Sequence, residues 1–259
     1  MSLDLDLHGR HALVCGASRG IGRAAAEALA GLGARVTLLA RSGDALAALA
    51  RDLAGPTGTL VADLDDRPDL ARKVDALLHR EGPVHVLVNN TDGPPSGRLL
   101  DAPEEALLAA FSRHVLSAHL LVKRLLPGMA AEGYGRIVNV VSTSVYEPIP
   151  NLGVSNTVRA AMAGWAKSLS DELPPGVTIN NVLPGYTSTE RLDSLKHAIA
   201  ERTGQTVAEL ETAWKAKIPE RRFADPSELG ATIAFLASPA AAYVRGVSLA
   251  VDGGRTRSI

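Results

Sequence analysis

One glycine-rich segment, Cys15 to Gly22 (CGASRGIG), limits the possible folds of this 259-residue chain more than any other feature. It separates an apolar run at 12–15, typical of a buried parallel strand, from an alanine-rich helix former at 24–31. Its glycines permit a tight turn, backbone approach to a pyrophosphate and close helix–strand packing. The pattern predicts a dinucleotide site at a helix N-terminus. The residues expected to contact the dinucleotide here are Gly16, Ser18, Arg19, Gly20, Ile21 and Gly22.

Apolar runs alternate with helix-forming segments along the whole chain. Further strands are predicted at 35–40, 59–62, 84–89, 136–141, 177–183 and 247–251. Strands that alternate with helices pair in parallel through right-handed crossovers. The predicted fold is therefore α/β, a Rossmann-type doubly wound parallel sheet in three layers, with residues 1–259 as a single domain. Loops after the strands then open at one edge of the sheet, where ligands bind.

Two helical stretches carry more specific predictions. One helix is predicted to start at Asp101, as its capping residue, and to end at Leu126 before Pro127 and Gly128. A polar, helical stretch at about 186–223 follows the sixth strand. It resembles an insertion that covers the edge of the sheet where ligands bind. We expect this insertion to be a lid.

Composition excludes several classes of function. The net charge is −1 and aromatic residues are 3% of the chain, so neither a basic stripe nor a base-stacking surface for nucleic acid is expected. No apolar run has membrane-spanning length, and the N-terminus lacks the apolar core of a signal peptide. The single cysteine, Cys15, fits a reducing compartment. No cluster has metal-ligand spacing. We expect a cytoplasmic protein without a metal that acts on a small molecule.

The ordered motifs of the chain resemble the short-chain dehydrogenase/reductase family, in particular its branch similar to 3-oxoacyl-[acyl-carrier-protein] reductases. The glycine signature of that family matches 15–22, and its Asn-Asn-Ala-Gly motif matches 89–92. The resemblance implies that Asp63 contacts adenine and that Ser142 holds a substrate oxygen. It also implies a homodimer or homotetramer with helices near 103–126 and 156–173 at the interface. The other cofactor positions that it implies are Asn89, Pro184, Gly185 and Thr189.

The residues after the second strand indicate which dinucleotide is preferred. Members of the family that prefer NAD place an acid there, to bind the ribose 2′-hydroxyl group. This chain has Ala40 followed by Arg41, and Arg19 lies in the glycine turn. Two guanidinium groups without a carboxylate suit a 2′-phosphate, so the predicted cofactor is NADP(H).

The catalytic motif of the family, Tyr-x-x-x-Lys, is absent from the sequence. Alignment of the following helix places Ser155 at the tyrosine position and Arg159 at the lysine position. A serine hydroxyl is a much weaker acid than a phenol, and a guanidinium stays charged. Arg159 is still expected to donate to the ribose hydroxyls of the cofactor.

Two residues are candidates to replace the missing acid. His114 aligns with the asparagine that positions a water relay in the family, and an imidazole titrates near neutral pH. The alternative for His114 is packing beneath the site. Tyr186 follows the Pro-Gly turn beside the nicotinamide, where it either donates a proton or shapes the pocket.

Asp92 replaces the last glycine of the Asn-Asn-Ala-Gly motif and brings a carboxylate close to the cofactor path.

The sequence therefore predicts an NADP(H)-dependent oxidoreductase that acts on a carbonyl or an alcohol through a non-standard proton donor. Its predicted catalytic residues are Ser142, His114, Ser155, Arg159 and Tyr186. Two alternatives remain open: a non-redox enzyme on the same scaffold, such as a cyclase or isomerase, and a catalytically silent NADP(H)-binding protein.

Overall fold

Seven apolar segments form the strands of one parallel sheet in the computed structural model, which describes residues 3–258. Of the predicted domain, Met1, Ser2 and Ile259 lie outside the described residues. Several strand ends differ from the prediction by one or two residues. In chain order the strands are β1 His11–Cys15, β2 Arg35–Ala40, β3 Thr57–Val61, β4 Val86–Asn89, β5 Gly135–Val140, β6 Val177–Pro184 and β7 Ser248–Val251.

The strand order in the sheet is β3-β2-β1-β4-β5-β6-β7. The chain builds the sheet outwards from β1 to β3, returns to the other side of β1, and continues from β4 to β7. A crevice at the carboxyl ends of the strands accompanies such a reversal, and it lies here between β1 and β4. The doubly wound parallel sheet predicted from the sequence is confirmed.

Helices cover both faces of the sheet, which gives the predicted three layers in a single domain. They are α1 Gly20–Gly31, α2 Gly43–Asp52, α3 Arg67–Glu81, α4 Glu104–Phe111, α5 Ser117–Ala131, α6 Gly153–Glu172, α7 Glu190–Thr203, α8 Val207–Ala216 and α9 Pro226–Ala237.

Alternate residues of each central strand enter different cores. Leu13 and Leu87 are paired in register and pack with the buried side chains of α3, α5 and α6. Their neighbours Val14 and Val88 point to the other face, where α1 and α9 pack. Because both faces are buried, the strands read as continuous apolar runs in the sequence.

The helix expected from Asp101 to Leu126 has different ends and an irregular middle. Asp101 lies in a short 3₁₀ turn, and α4 begins after Pro103 without a side-chain cap. Five residues, Ser112–Leu116, form a π-helical turn before α5. The predicted stop at Pro127 is wrong, because α5 continues to Ala131. Leu125 and Met129, on either side of the proline, are fully buried, so packing compensates the one lost backbone hydrogen bond.

The segment predicted as a lid contains α7 and α8. Its two ends meet, because Thr187 pairs with Ala224 in an isolated parallel bridge. A capping box starts α8, with the Thr206 hydroxyl accepting from the backbone of Glu209. Within residues 3–258, none of the helices has the length and apolar character needed to cross a membrane.

Candidate functional site

A cleft of about 930 Å³ opens at the carboxyl ends of the strands, below α7 and α8. It collects residues of the loops that follow β1 to β7, together with the start of α6. Most of the predicted site residues meet there although they are far apart in the chain. The predicted residues that line the cleft are Gly16, Ser18, Arg19, Gly20, Ile21, Arg41, Asp63, Ser142, Ser155, Arg159, Pro184, Gly185, Tyr186 and Thr189.

The glycine turn is packed so closely that larger residues do not fit. Gly16 has a φ of +60°, and a Cβ atom on Gly22 would lie 2.2 Å from the Gly16 carbonyl oxygen. A Cβ atom on Gly16 would lie 2.6 Å from the Asn90 side-chain nitrogen. Gly22 therefore supports the cleft from beneath and does not line it.

The N-terminus of α1 opens into the cleft. Arg19, at the capping position, makes no side-chain cap, and the first turn contains no acidic residue. The first backbone N–H groups of a helix have no partner within the helix, and the helix dipole places positive charge there. This end of α1 therefore fits a pyrophosphate group.

The two arginines expected to bind a 2′-phosphate have different surroundings. Arg41 follows β2, is exposed, and forms no ion pair within the described part of the chain. Arg19 donates to Asp92 at 3.2 Å and to Glu190 at 3.0 Å. Arg41 is therefore available to a phosphate, whereas Arg19 is engaged by carboxylates on the opposite side of the glycine turn.

Asp92 lies among positive charges. One of its carboxylate oxygens accepts from the backbone of Gly93 at 3.1 Å, and the same oxygen lies 3.8 Å from the Arg191 guanidinium. Together with Arg19 and Glu190, these groups form a chain of ion pairs that we call the Asp92 bridge. It joins the loops after β1 and β4 to the start of α7, and all four side chains line the cleft.

Arg159 is buried on α6, and its guanidinium donates to the Val140 carbonyl at 2.8 Å. Burial lowers the pKa of Arg159 to about 10, with the nearby Arg191 acting in the same direction. The side chain therefore keeps its charge at neutral pH and brings a fixed cation to the cleft. Ser155 lies one helical turn earlier on the same face and also lines the cleft.

Ser142 and Asp63 follow β5 and β3. The Ser142 hydroxyl oxygen accepts from the backbone of Ser144 at 3.0 Å, which fixes its orientation beside the cleft. One oxygen of Asp63 accepts from the backbone of Asp65 at 3.0 Å. Thr189 caps α7 by accepting from Leu192 at 3.3 Å. These contacts hold the three side chains in place at the rim of the cleft.

His114 lies beneath the cleft, in the π-helical turn, and does not line it. It borders a separate cavity of about 20 Å³ together with Arg159 and Asn90. Burial lowers the pKa of His114 to about 2, and the charges of Arg159 and Arg113 act in the same direction. The imidazole is therefore neutral at every pH at which the protein would work.

Tyr186 closes the other side of the cleft. Its ring stacks on Trp214 with centroids 4.7 Å apart, and Phe223 packs against it at a tilt. Burial raises the pKa of Tyr186 above its usual value, while the charge and hydrogen bond of Arg255 oppose the rise. The phenol is therefore protonated at neutral pH.

Asn89 does not reach the cleft. Its side chain donates to Asn139 at 2.8 Å, Asn139 donates to Asn181 at 2.9 Å, and Asn181 donates to Ser248 at 3.0 Å. These residues are paired in register across β4, β5, β6 and β7, so they form a row of three buried amides that ends at the Ser248 hydroxyl. Asn90 is the residue that reaches the glycine turn, where it donates to Gly16 O at 3.3 Å.

Sequence reasoning also missed Arg255, which follows β7 and enters the cleft. Its guanidinium donates to the Thr143 hydroxyl at 3.2 Å and lies 5.2 Å from the centre of the Tyr186 ring. No motif marks this position. Asn90 had a signal, because two asparagines follow each other at the end of β4 and only one can point into the sheet.

Comparison with known proteins decides the family. The family model described as Enoyl-(Acyl carrier protein) reductase matches residues 16–256. The 3-oxoacyl-[acyl-carrier-protein] reductase FabG of Vibrio cholerae serotype O1 is 36% identical over 254 residues, which cover 96% of this chain and 98% of that protein. The chain belongs to the short-chain dehydrogenase/reductase family.

Solved structures of this family have the same fold. The L-sorbose reductase of Gluconobacter frateurii, determined with NADPH and L-sorbose, has a TM-score of 0.92 and 27% identity, and the match covers 99% of this chain and 100% of that one. YwfH, an NADPH-dependent reductase of bacilysin biosynthesis, has a TM-score of 0.90 and 28% identity, with 96% and 99% covered. Within residues 3–258, no group of three or more His, Cys, Asp or Glu side chains is placed to hold a metal ion.

Proposed function

We propose that this chain is an NADP(H)-dependent oxidoreductase that interconverts a carbonyl compound and its alcohol. One observation carries the proposal: the glycine turn and the open end of α1 share a cleft with Ser142, Arg159 and Tyr186. A dinucleotide along the turn would end beside hydroxyl groups and a fixed cation. The family and its NADPH-dependent members support the same conclusion.

Different residues of the cleft bind different parts of the cofactor. The N–H groups at the start of α1 bind the pyrophosphate, and Arg41 binds the 2′-phosphate with its guanidinium. Asp63 faces the adenine, and Arg159 donates to the nicotinamide ribose. We place the nicotinamide beside Pro184, Gly185 and Thr189, which line the same cleft.

Bound NADPH would supply a hydride to a carbonyl carbon. The residues of the chain then hold the carbonyl oxygen and give it a proton. We assign the first task to Ser142, whose hydroxyl lines the cleft. We assign the second to Tyr186: the phenol gives its proton to the oxygen as the alcohol forms, and the phenolate recovers a proton from water. Arg255, which lies beside the ring, stabilises the phenolate until it is protonated again.

The surroundings of His114 favour Tyr186 as the donor. An acid catalyst must carry its proton at the working pH, and an imidazole with a pKa of about 2 does not. His114 also does not line the main cleft and borders the smaller, adjoining cavity. Ser155 lines the cleft, but a serine hydroxyl is too weak an acid to donate readily. We therefore assign His114 to packing beneath the site.

The experiment is a titration of NADPH and NADH into the purified protein, followed by measurement of NADPH oxidation with a panel of ketones and aldehydes. We expect NADPH to bind more tightly than NADH, and Arg41→Gln to reduce that difference. We expect Tyr186→Phe to lower kcat by about a hundredfold or more, within the range of general acid catalysis. Tyr146→Phe is the matched control, since its phenol donates to Ser248 O and does not line the cleft.

The alternatives give different results. Tight NADPH binding without oxidation by any carbonyl compound would indicate a silent binding protein or a non-redox enzyme. Turnover that survives Tyr186→Phe and fails in His114→Asn would make His114 the donor.

Two further features belong to the proposal. We propose that the segment 186–223 acts as a lid, because its joined ends allow it to move as a unit over the cleft. We also propose a homo-oligomer, formed through α4 and the residues on either side of it. Five large apolar side chains are exposed there, namely Leu99, Leu100, Leu108, Phe111 and Leu116.

A further inference from the structure

We infer that the substrate is an oxo acid, a carbonyl compound that carries a carboxylate, and that Arg255 binds this carboxylate. The inference rests on the proposed function, because it concerns the substrate of the same cleft. It adds a chemical class that the sequence motifs leave open, and it gives Arg255 a binding role in addition to its position beside Tyr186.

The turn before Arg255 directs the side chain into the cleft. Both carboxylate oxygens of Asp252 are occupied by backbone donors, with Gly254 N at 3.0 Å and Thr256 N at 2.8 Å. Asp252 therefore fixes the turn and does not pair with Arg255. The guanidinium instead donates to the Thr143 hydroxyl at 3.2 Å.

This placement sets the distance between the carboxylate and the reacting carbonyl group. Thr143 is the residue after Ser142, which is assigned to the carbonyl oxygen. A carboxylate on Arg255 and a carbonyl on Ser142 would therefore be separated by few bonds. A 2-oxo or a 3-oxo acid meets this condition.

Arg255 has a charge that the described residues do not balance. It forms no ion pair with a carboxylate in residues 3–258, although it is half-buried. Arg202 and Lys217 line the same cleft and are likewise without an ion pair in that part of the chain. Two carboxylates of α7 and α8 are engaged elsewhere, because Glu190 pairs with Arg19 and Glu211 pairs with Lys196 and Lys215. The cleft therefore has an excess of positive charge toward the lid.

A carboxylate matches the guanidinium geometry of Arg255. The two oxygens of a carboxylate accept two parallel N–H bonds from the guanidinium fork, and such charged bonds are about twice as strong as neutral ones. Partial burial strengthens the attraction further, because water screens it less.

The remaining wall of this end of the cleft is apolar. Leu192, Leu195, Ile199 and Trp214 all line the cleft. They suit a hydrocarbon body attached to the oxo acid. A small, fully polar substrate would leave these side chains in contact with polar groups.

The test compares acids with neutral analogues. NADPH oxidation is measured with 2-oxo and 3-oxo acids of increasing chain length and with the methyl ester of each acid. We expect the wild-type protein to have a kcat/KM about tenfold to a hundredfold higher for an acid than for its ester. In Arg255→Gln the ratio should fall to about one, mainly through a higher KM for the acid, whereas Arg255→Lys should keep part of the preference. Arg257→Gln is the matched control, since that exposed arginine bonds Glu147 only through its backbone.

A binding measurement separates this inference from the proposed function. The shift in Tm caused by each acid is recorded for the wild-type protein and for Arg255→Gln, with and without NADPH. A shift that disappears in Arg255→Gln supports the inference even if no acid is reduced. Equal rates for acids and esters in the wild-type protein would overturn it while leaving the oxidoreductase intact. A preference for keto phosphates over oxo acids would also overturn the carboxylate assignment.

Discussion

Acidification should destabilise this fold through two buried histidines. His11 and His114 are each no more than 5% exposed. Burial lowers the pKa of His11 to about 4, with the charge of Arg35 acting in the same direction. Burial lowers the pKa of His114 to about 2, with Arg159 and Arg113 adding to the effect. Both side chains are therefore neutral in the folded chain over a pH range in which an unfolded chain is protonated.

The sign and size of the effect follow from proton linkage. A histidine in the unfolded chain titrates near pH 6.5. Both histidines have a lower pKa in the folded chain than in the unfolded chain. Their contribution to the free energy of unfolding is therefore fully present above about pH 6.5 and is lost as the pH falls. Between about pH 7.5 and pH 5, the unfolded chain gains nearly one proton at each position. The expected loss in the free energy of unfolding is about 2 kcal/mol for each histidine. Two such losses are a large share of the roughly 5–15 kcal/mol by which domains are stable.

The assay is urea unfolding at the two pH values for the wild-type protein and for His114→Gln. Carboxylates also contribute to acid destabilisation, but they are common to both proteins and cancel in the comparison. We expect the variant to lose about 2 kcal/mol less than the wild-type protein on acidification. His197→Gln is the control, because this histidine is exposed on α7. If His114→Gln had the same pH dependence as the wild-type protein, the buried imidazole would not be held neutral and the reasoning would fail.

Two further predictions concern the glycine turn and the proposed homo-oligomer. Gly22→Ala should abolish NADPH binding, measured by cofactor fluorescence, because the added Cβ would lie 2.2 Å from Gly16 O. Gly31→Ala in the same helix has open space around it and should bind normally, and equal binding by both variants would contradict the packing argument. Leu108→Glu should shift the protein to a smaller species in light scattering after gel filtration. Leu3→Glu, at a side chain of the same 69% exposure, should not; an unchanged mass for Leu108→Glu would exclude α4 from the interface.

The strands and the glycine turn could be predicted because their signals are local. An apolar run bounded by turn residues identifies a buried strand, and the spacing of glycines identifies the turn. Pro127 shows the limit of local rules. It is a strong helix breaker, yet the helix continues because its buried neighbours pack against the sheet. The sequence does not show how much packing a given turn of helix receives.

The site was harder to predict where the direction of a side chain decides its role. Asn89 and Asn90 are adjacent and alike, but one joins a row of amides inside the sheet and the other holds the glycine turn. Arg255 is more than one hundred residues away from Thr143 in the chain, and only the closing turn of the last strand brings them together. Long-range contacts of this kind leave no pattern in the spacing of residues.

The Asp92 bridge has a consequence for how ionic strength affects the protein. Arg19 is already paired with Asp92 and Glu190, so a dinucleotide that bound along the glycine turn as proposed would have to replace these carboxylates as the partner of Arg19. Added salt screens the attraction between the arginines and the phosphates of the dinucleotide. It also screens the ion pairs of the Asp92 bridge, which the dinucleotide has to break. These two effects of salt oppose each other. The affinity for the dinucleotide should therefore depend less on salt concentration than the charge of the dinucleotide alone would predict.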